Sequence, residues 1–241
     1  MLTSREQTRA ETMRKIVRAS RKLLTSKGGF TLRAVAAQLD MTAPALYRYV
    51  ESHEQLMQLV AVDIDSTATE EFKKERDKQS AEDPAAQLMA AAVAFRTWAL
   101  TNKAEFHLVF TNPEVDHNAL LQTQAASGLM FHELLFRVWE KYQFPFPAAE
   151  TLEPELVSLL CDPQIPIDMK GVPEELYGLV WVFMRSWAAL YGTVTLEVYG
   201  HLDPRVVEHG LIFRAMIEDQ AGVLGLTDEL PRMRALIDKL I

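Results

Sequence analysis

The sequence has very little cysteine: Cys161 is the only one in 241 residues. A single cysteine cannot form an internal disulfide, and it excludes a structural zinc site built on two or more thiolates. The first residues lack the apolar core of a secretory signal peptide, so we expect the protein to remain in the reducing cytoplasm. Internal repeats and low-complexity tracts are also lacking.

The composition is that of a water-soluble globular protein. Hydrophobic residues make up 49% of the chain and charged residues 24%. Both fractions are near the averages for folded domains and exclude disordered and collagen-like chains. At about 150 residues per domain, the length predicts one to two domains.

Charge is distributed unevenly along the chain. Residues 1–50, here called the basic head, contain ten Lys and Arg against three Asp and Glu, a net charge of +7. The whole chain carries −8, so the remaining residues carry −15. Such asymmetry is expected when one module binds a polyanion and the other does not, although a cationic surface that is merely solvated would look the same.

Three helical patterns follow one another in the basic head, and a fourth begins just after it. Apolar residues recur at helical spacing over 11–24 and stop at Gly28–Gly29. Thr31 can cap a second helix that ends near Asp40, and a third begins at Thr42. Residues 52–55 form a capping box that opens the fourth.

The second and third helices, with the short turn between them, form a helix-turn-helix pattern. Ala36 or Ala37 is small enough for the crossing of the two helices, and Asp40 tolerates the unusual backbone angles of the turn. Leu46 and Val50 supply the buried side of the third helix, which leaves its other side chains free to approach a DNA groove.

The exposed side of the third helix suits DNA. Ala43 can contact a thymine methyl group, and Thr42 can bind a base edge or a phosphate. Arg48 could bind guanine or a backbone phosphate, and we favour the phosphate. Tyrosine hydroxyls at Tyr47 and Tyr49 can also reach phosphates.

Residues 9–62 resemble the DNA-binding domain of the TetR family of transcriptional repressors. The resemblance is carried above all by FTLRAVA at 30–36 and MTAPALYRYVESHEQL at 41–56. It implies that Leu46 packs inward, that Tyr47 contacts the DNA backbone and that Thr31 donates to a phosphate. It also implies that the base-contacting positions are Thr42, Ala43, Pro44 and Tyr49. The DNA-contacting residues expected from pattern and resemblance together are Thr31, Arg33, Thr42, Ala43, Pro44, Tyr47, Arg48, Tyr49 and His53.

Three residues depart from the family pattern. Asp40 stands where glycine is common, and Val50 where phenylalanine is common. His53 stands where a phosphate-binding lysine is usual, which puts that one backbone contact in question.

The rest of the chain predicts an all-α regulatory body, so we expect a DNA-binding domain at 1–55 and a ligand-binding and dimerisation domain at 56–241. Residues 144–173 hold six of the eleven prolines, which predicts an irregular connection with one short helix at 155–160. Helices are expected at 83–99, 103–110, 120–142, 174–198 and 204–223, with a short one near 236–240.

The apolar helix at 174–198 is long enough to suggest a membrane span, but Arg185 in its middle argues against one. A soluble helix that is apolar all round is more often buried twice, against its own domain and against a partner subunit. Residues 185–201 resemble one TetR-type C-terminal domain, with Tyr191 where histidine is usual. The resemblance implies a homodimer formed by helices near 174–198 and 204–223, which would bind a near-palindromic DNA operator.

Seven aromatic residues of the body and one methionine are candidates to line a site for a small apolar or amphipathic effector, although core packing is the stronger interpretation of each residue taken singly. They are Phe95, Trp98, Phe106, Phe110, Met130, Phe131, Trp139 and Trp181.

Two other function classes were weighed. A helical di-metal enzyme needs paired Glu-x-x-His motifs, and only Glu114 to His117 fits, so we expect no metal, cofactor or catalytic residue. A helical protein-binding adaptor would not account for the basic head.

Overall fold

A computed structural model describes residues 3–25, 30–116, 126–160 and 172–241. These residues form twelve α-helices and no β-strand, which confirms the expected all-α fold. In chain order the helices are α1 (Ser4–Leu23), α2 (Leu32–Gln38), α3 (Ala43–Leu46), α4 (His53–Arg76), α5 (Pro84–Thr101), α6 (Lys103–Phe106), α7 (Ala126–Tyr142), α8 (Pro154–Leu160), α9 (Tyr177–Val198), α10 (Pro204–Glu208), α11 (Leu211–Val223) and α12 (Leu230–Leu240).

The chain divides into two compact units. The first takes in residues 1–67 and 102–125, and the second takes in 68–101 and 126–241. The described part of the second stretch of the first unit, residues 102–116, is called the return segment. It comprises α6, a turn of π-helix at His107–Thr111 and the residues that follow. The first unit is therefore built from two stretches that are separate in the sequence.

Helix α1 begins earlier than the apolar pattern predicts. Its N-cap is Thr3, whose hydroxyl accepts the Glu6 N–H at 3.3 Å while the Glu6 carboxylate accepts the Thr3 N–H at 2.7 Å. This capping box starts the helix at Ser4, so the expected start at residue 11 was wrong. The expected stop at Gly28–Gly29 lies outside the described residues.

Helix α5 is the centre of the second unit and contacts α7, α9 and α12. It opens as expected, because Asp83 accepts the Ala86 N–H at 3.1 Å and Pro84 needs no amide partner in the first turn. Aromatic side chains pack edge to face around it, with the ring centroids of Phe72 5.8 Å from Phe95 and 5.9 Å from Trp98. α5 is thus enclosed on several sides.

The C-terminal third differs from expectation at two places. The single helix predicted over 204–223 is two helices, because Gly210 adopts a left-handed conformation with φ 59° between α10 and α11. The final helix α12 starts at Leu230, well before the stretch near 236–240. Helix α8 matches the short helix expected in the proline-rich stretch, and the expected start of α7 at residue 120 lies outside the described residues.

A buried ion pair ties α5 to the C-terminal helices. Arg96 donates to both oxygens of Glu197, at 2.6 and 3.2 Å, and to the Val207 carbonyl at the end of α10. Its guanidinium also lies over the Phe213 ring of α11, 5.4 Å from the centroid. Burial raises the pKa of the Glu197 carboxyl, and the hydrogen bonds from Arg96 oppose that rise.

We expect Arg96→Met to lower the free energy of unfolding by about 3–5 kcal/mol, because it leaves a buried carboxylate uncompensated. Arg96→Met/Glu197→Met should recover most of that loss in urea unfolding experiments. Without Arg96 the Glu197 pKa rises further above its unfolded value, so the folded state takes up a proton that the unfolded state does not. The loss of unfolding free energy in Arg96→Met should therefore be smaller at pH 5 than at pH 8.

The control is Arg205→Ala, which removes a solvent-exposed ion pair with Asp203 and should leave the unfolding curve unchanged. If Arg96→Met and Arg205→Ala lowered the free energy of unfolding equally, the result would contradict a special role for the buried pair.

Candidate nucleic-acid interface

Helices α2 and α3 form the predicted helix-turn-helix. The Ala36 carbonyl, at the end of α2, accepts the Met41 N–H at 2.9 Å across the turn. Asp40 sits in that turn with φ 52°, the left-handed conformation expected of it. Ala36 is 3% exposed while Ala37 is exposed, so Ala36 is the small residue that the buried side of α2 requires.

Helix α3 is short but continues as a turn. The Tyr47 N–H donates to the Ala43 carbonyl at 3.0 Å and the Val50 N–H to the Leu46 carbonyl at 3.2 Å. Residues 42–50 are therefore called the recognition segment. Leu46 and Val50 are 1% and 0% exposed, as predicted, and they fix which side of the segment faces the core.

The other side of the recognition segment is open to solvent. Tyr47 is 53% exposed and Tyr49 is half-buried. Of the remaining predicted contacts in the segment, the exposed ones are Thr42, Ala43, Pro44 and Arg48. The structure thus places these side chains together on one accessible surface, as a DNA contact requires.

Two threonines cap helices at this surface in the same way. Thr31 accepts the Ala34 N–H at 3.2 Å and Thr42 accepts the Ala45 N–H at 3.3 Å. Each hydroxyl uses an oxygen lone pair in its cap and keeps its hydrogen, which is the group that a phosphate oxygen accepts. Arg33 is exposed in the first turn of α2.

His53 is engaged within the protein. Its Nε2 lies 2.9 Å from the Phe30 carbonyl oxygen, and the two rings lie 5.1 Å apart. The imidazole therefore joins the start of α4 to the residue before the Thr31 cap. A phosphate contact by His53 remains a prediction, and it would have to use the other ring nitrogen.

Arg9 of α1 is a residue that sequence reasoning did not single out. Its Nη1 donates to the Arg48 carbonyl at 3.0 Å, and its guanidinium carbon lies 5.3 Å from the centre of the Tyr49 ring. No spacing rule links residues 39 positions apart, so the sequence carried no local signal for this contact.

Arg21, also on α1, joins three elements of the first unit. It binds both oxygens of Glu105 in α6, at 2.5 and 2.9 Å. It also reaches Asp63 at 3.2 Å and the Thr67 hydroxyl at 2.7 Å, both in α4. The hydrogen bond with Glu105 raises the pKa of Arg21, outweighing its partial burial. Two further hydrogen bonds join α4 to the return segment. The Gln58 side chain donates to the Asp116 carbonyl, and the Asn112 side-chain amide donates to the Met57 sulfur.

The eight residues proposed for an effector site fall in both units. The Phe106 and Phe110 rings lie 5.2 Å apart in the first unit, tilted relative to each other. In the second unit the Phe95 and Phe131 rings lie 6.1 Å apart, and each lies 5.6 Å from Trp187. Trp187 was missing from the expected set. The other four residues are also in the second unit: Trp98 beside Phe72, Trp139 beside Phe136 and Phe146, a buried Met130 and a partly buried Trp181.

Comparison with known proteins shows which family the chain belongs to. Residues 88–220 match the family model described as "Tetracyclin repressor-like, C-terminal domain". The HTH-type transcriptional regulators Rv1816 of Mycobacterium tuberculosis H37Rv and Mb1846 of Mycobacterium bovis are each 35% identical over 229 residues, covering 91% of this chain and 95% of theirs. The chain belongs to the TetR family of transcriptional regulators.

Solved structures share the TetR fold at low sequence identity. The regulatory protein SCO4313 superimposes with a TM-score of 0.58 at 20% identity, covering 91% of this chain and all of its own. A TetR family transcription regulator from Shewanella sp. PV-4 has the same TM-score at 13% identity, covering 88% of this chain and 96% of its own. At these identities the likeness concerns the fold alone.

One stretch, Glu174–Val198, is long and apolar enough to cross a membrane by composition. Core helices of soluble proteins pass the same test. Here the stretch is mainly α9, which packs on α5 and α11 within the second unit.

We expect His53→Ala to lower the free energy of unfolding by about 1 kcal/mol, because it removes one partly buried hydrogen bond. The dependence of DNA affinity on salt should stay the same if the ring serves only within the protein. Thermal unfolding and DNA titrations in a salt series check both parts. His201→Ala, at an exposed histidine of the second unit, is the control. A salt slope less steep by about 0.9 would show instead that His53 neutralises a phosphate.

Proposed function

We propose that this TetR family regulator is a homodimeric repressor that binds a near-palindromic operator and is released by a small-molecule effector. The observation that carries the DNA-binding part is the recognition segment, with Leu46 and Val50 buried and Tyr47 pointing to solvent. A segment anchored on one side and accessible on the other suits the major groove.

The exposed residues divide between two kinds of contact. Thr42, Ala43 and Pro44 stand at the N-terminal end of the recognition segment, where their small side chains allow a close approach to base edges. The threonine hydroxyl of the α2 cap, the Tyr47 hydroxyl and the Arg48 guanidinium reach further and suit phosphates. The basic head supplies the positive field that attracts the duplex.

The second unit offers a surface for a second copy of the chain. Leu196 and Tyr199 at the end of α9 are 41% and 42% exposed, and Leu211 and Ile212 at the start of α11 are 53% and 37% exposed. A Cβ atom added at Gly192 of α9 or Gly222 of α11 would meet no other atom within 4 Å. Exposed apolar side chains beside small residues on two packed helices favour a four-helix dimer interface.

A dimer explains how two recognition segments bind one site. Two-fold symmetry places them about 34 to 36 Å apart, one turn of B-DNA, and requires a near-palindromic sequence. The operator is expected in the DNA flanking the coding region of the protein, and binding there would block transcription. A protein with this role acts in the cytoplasm.

The effector site is proposed within the second unit, around the cluster of Phe95, Phe131 and Trp187. Two elements link that unit to the first along the chain: α4 runs from residue 53 to 76, and α5 leads directly into the return segment. The Arg21 bonds to Asp63 of α4 and to Glu105 of the return segment, into which α5 leads, join these two parts to α1. A change in either element would therefore act on the basic head, with a coupling of about 1–3 kcal/mol.

No group of three metal-ligating side chains occurs within residues 3–25, 30–116, 126–160 and 172–241. His117, needed for the one Glu-x-x-His motif, lies outside them.

We expect the wild-type protein to bind a fragment of its flanking DNA with an affinity that falls by orders of magnitude as salt rises, about 0.9 in logarithmic slope for each neutralised phosphate. Tyr47→Ala should weaken binding to all sequences equally. Ala43→Glu should abolish the preference for the operator, because it places a carboxylate against base edges. Fluorescence anisotropy with operator and scrambled duplexes measures each effect.

Ala37→Glu is the matched control, since it adds the same charge at an exposed alanine of α2 outside the recognition segment. It should keep the preference for the operator. An Ala43→Glu variant that retains full preference would show that the recognition segment does not enter the groove.

We expect light scattering to give twice the 27.3 kDa mass of one chain, and Leu211→Asp to shift the protein towards a monomer. The introduced carboxylate would be buried without a partner in the interface. Leu129→Asp is the control, because Leu129 is equally exposed, at 52%, on a different helix. A dimer that tolerates Leu211→Asp would move the interface away from the start of α11.

A further inference from the structure

We infer that Arg9 is a specificity-determining positioning residue, which holds the C-terminal end of the recognition segment in the geometry that matches the operator. This inference rests on the proposed contact between the recognition segment and DNA. It adds a function for a residue of α1 that lies outside the helix-turn-helix.

The first observation is a hydrogen bond at the end of the recognition segment. Carbonyl groups in the last turn of a helix have no N–H donor from their own helix. The Arg48 carbonyl lies just beyond these, two residues past the end of α3, and Arg9 Nη1 donates to it at 3.0 Å. A positive charge there also opposes the partial negative charge of the helix C-terminus. Arg9 therefore acts as a C-terminal cap supplied from another helix.

The second observation is the position of the Arg9 guanidinium over the Tyr49 ring, 5.3 Å from its centroid. The planar cation holds the ring by a cation–π contact, which restricts the direction in which the half-buried tyrosine points. Tyr49 stands at one of the positions that the resemblance to the TetR family implies as base-contacting. Restricting its ring in advance lowers the entropy lost when DNA binds.

The third observation concerns charge. Within the described residues, no carboxylate lies within ion-pair distance of Arg9, whereas Lys15 on the same helix pairs with Glu11 at 3.1 Å. The guanidinium is thus committed to the recognition segment by its contacts with Arg48 and Tyr49.

A positioning residue and a phosphate contact predict different results. A phosphate contact depends on charge, so lysine would replace arginine and alanine would lower the salt slope for every sequence. Positioning depends on the planar fork and face of arginine, which lysine does not reproduce. Arg9→Lys, which keeps the charge, is therefore the decisive variant.

We expect Arg9→Lys to weaken operator binding about tenfold, with an unchanged affinity for a scrambled duplex and an unchanged salt slope. In a Tyr49→Leu background the same change should cost much less, because the ring it positions is gone. Arg5→Lys, at an exposed arginine one turn earlier in α1, is the matched control and should leave both affinities unchanged.

A measurement without DNA separates this inference from the proposed function. Hydrogen exchange of the DNA-free protein should be several-fold faster in Arg9→Lys than in wild type for a peptide spanning 42–51, with no change in peptides of α5. Unchanged exchange in that peptide overturns the inference, as does an operator affinity equal to that of wild type. Equal losses for operator and scrambled duplexes would assign Arg9 to a phosphate instead. Absence of any sequence preference in wild type, with faster exchange in Arg9→Lys, would count against the proposed operator and not against the cap.

Discussion

The geometry of the DNA-binding surface depends on the burial of two aliphatic side chains, Leu46 and Val50. Helix α3 has only four residues, far fewer than an isolated helix needs to be stable in water. Its conformation is therefore imposed by packing and by its ends: Thr42 caps the start, and Arg9 binds a carbonyl beyond the other end. Because the two anchors lie four residues apart, they define one inward stripe, and Tyr47 has no alternative to facing outward.

Features governed by local chemistry were predictable from the sequence. A threonine just before a helix can accept the unpaired backbone N–H three residues later and so act as an N-cap. Both Thr31 and Thr42 do so. Asp40 was expected to take an unusual backbone angle, and it does. Pro84 after Asp83 predicted the start of α5. The start of α1 was missed although its signal was present, since the capping box of Thr3 and Glu6 precedes any apolar periodicity.

Features that depend on distant residues were not predictable by the same means. Arg9 meets Tyr49, His53 meets Phe30 and Arg21 meets Glu105 only because the chain folds back, and no propensity or spacing rule encodes these pairs. The interruption at Gly210 was missed for another reason: apolar residues continue at helical spacing on both sides of it. Trp187 lies in the stretch that resembles a TetR-type C-terminal domain, but its place beside Phe95 and Phe131 emerged only from the packing of α5, α7 and α9.

The discontinuous make-up of the first unit bears on how its parts could be exchanged between relatives. A fragment cut after α4 would omit the return segment, leaving Arg21 without Glu105 and exposing the surface that Phe106 and Val109 bury. In a hybrid that joins only the N-terminal helices to the remainder of another family member, Arg21 would face whichever residue that member has in place of Glu105. Interchangeable pieces are therefore the two stretches transferred as a pair, because the contact that joins them spans 84 residues of sequence.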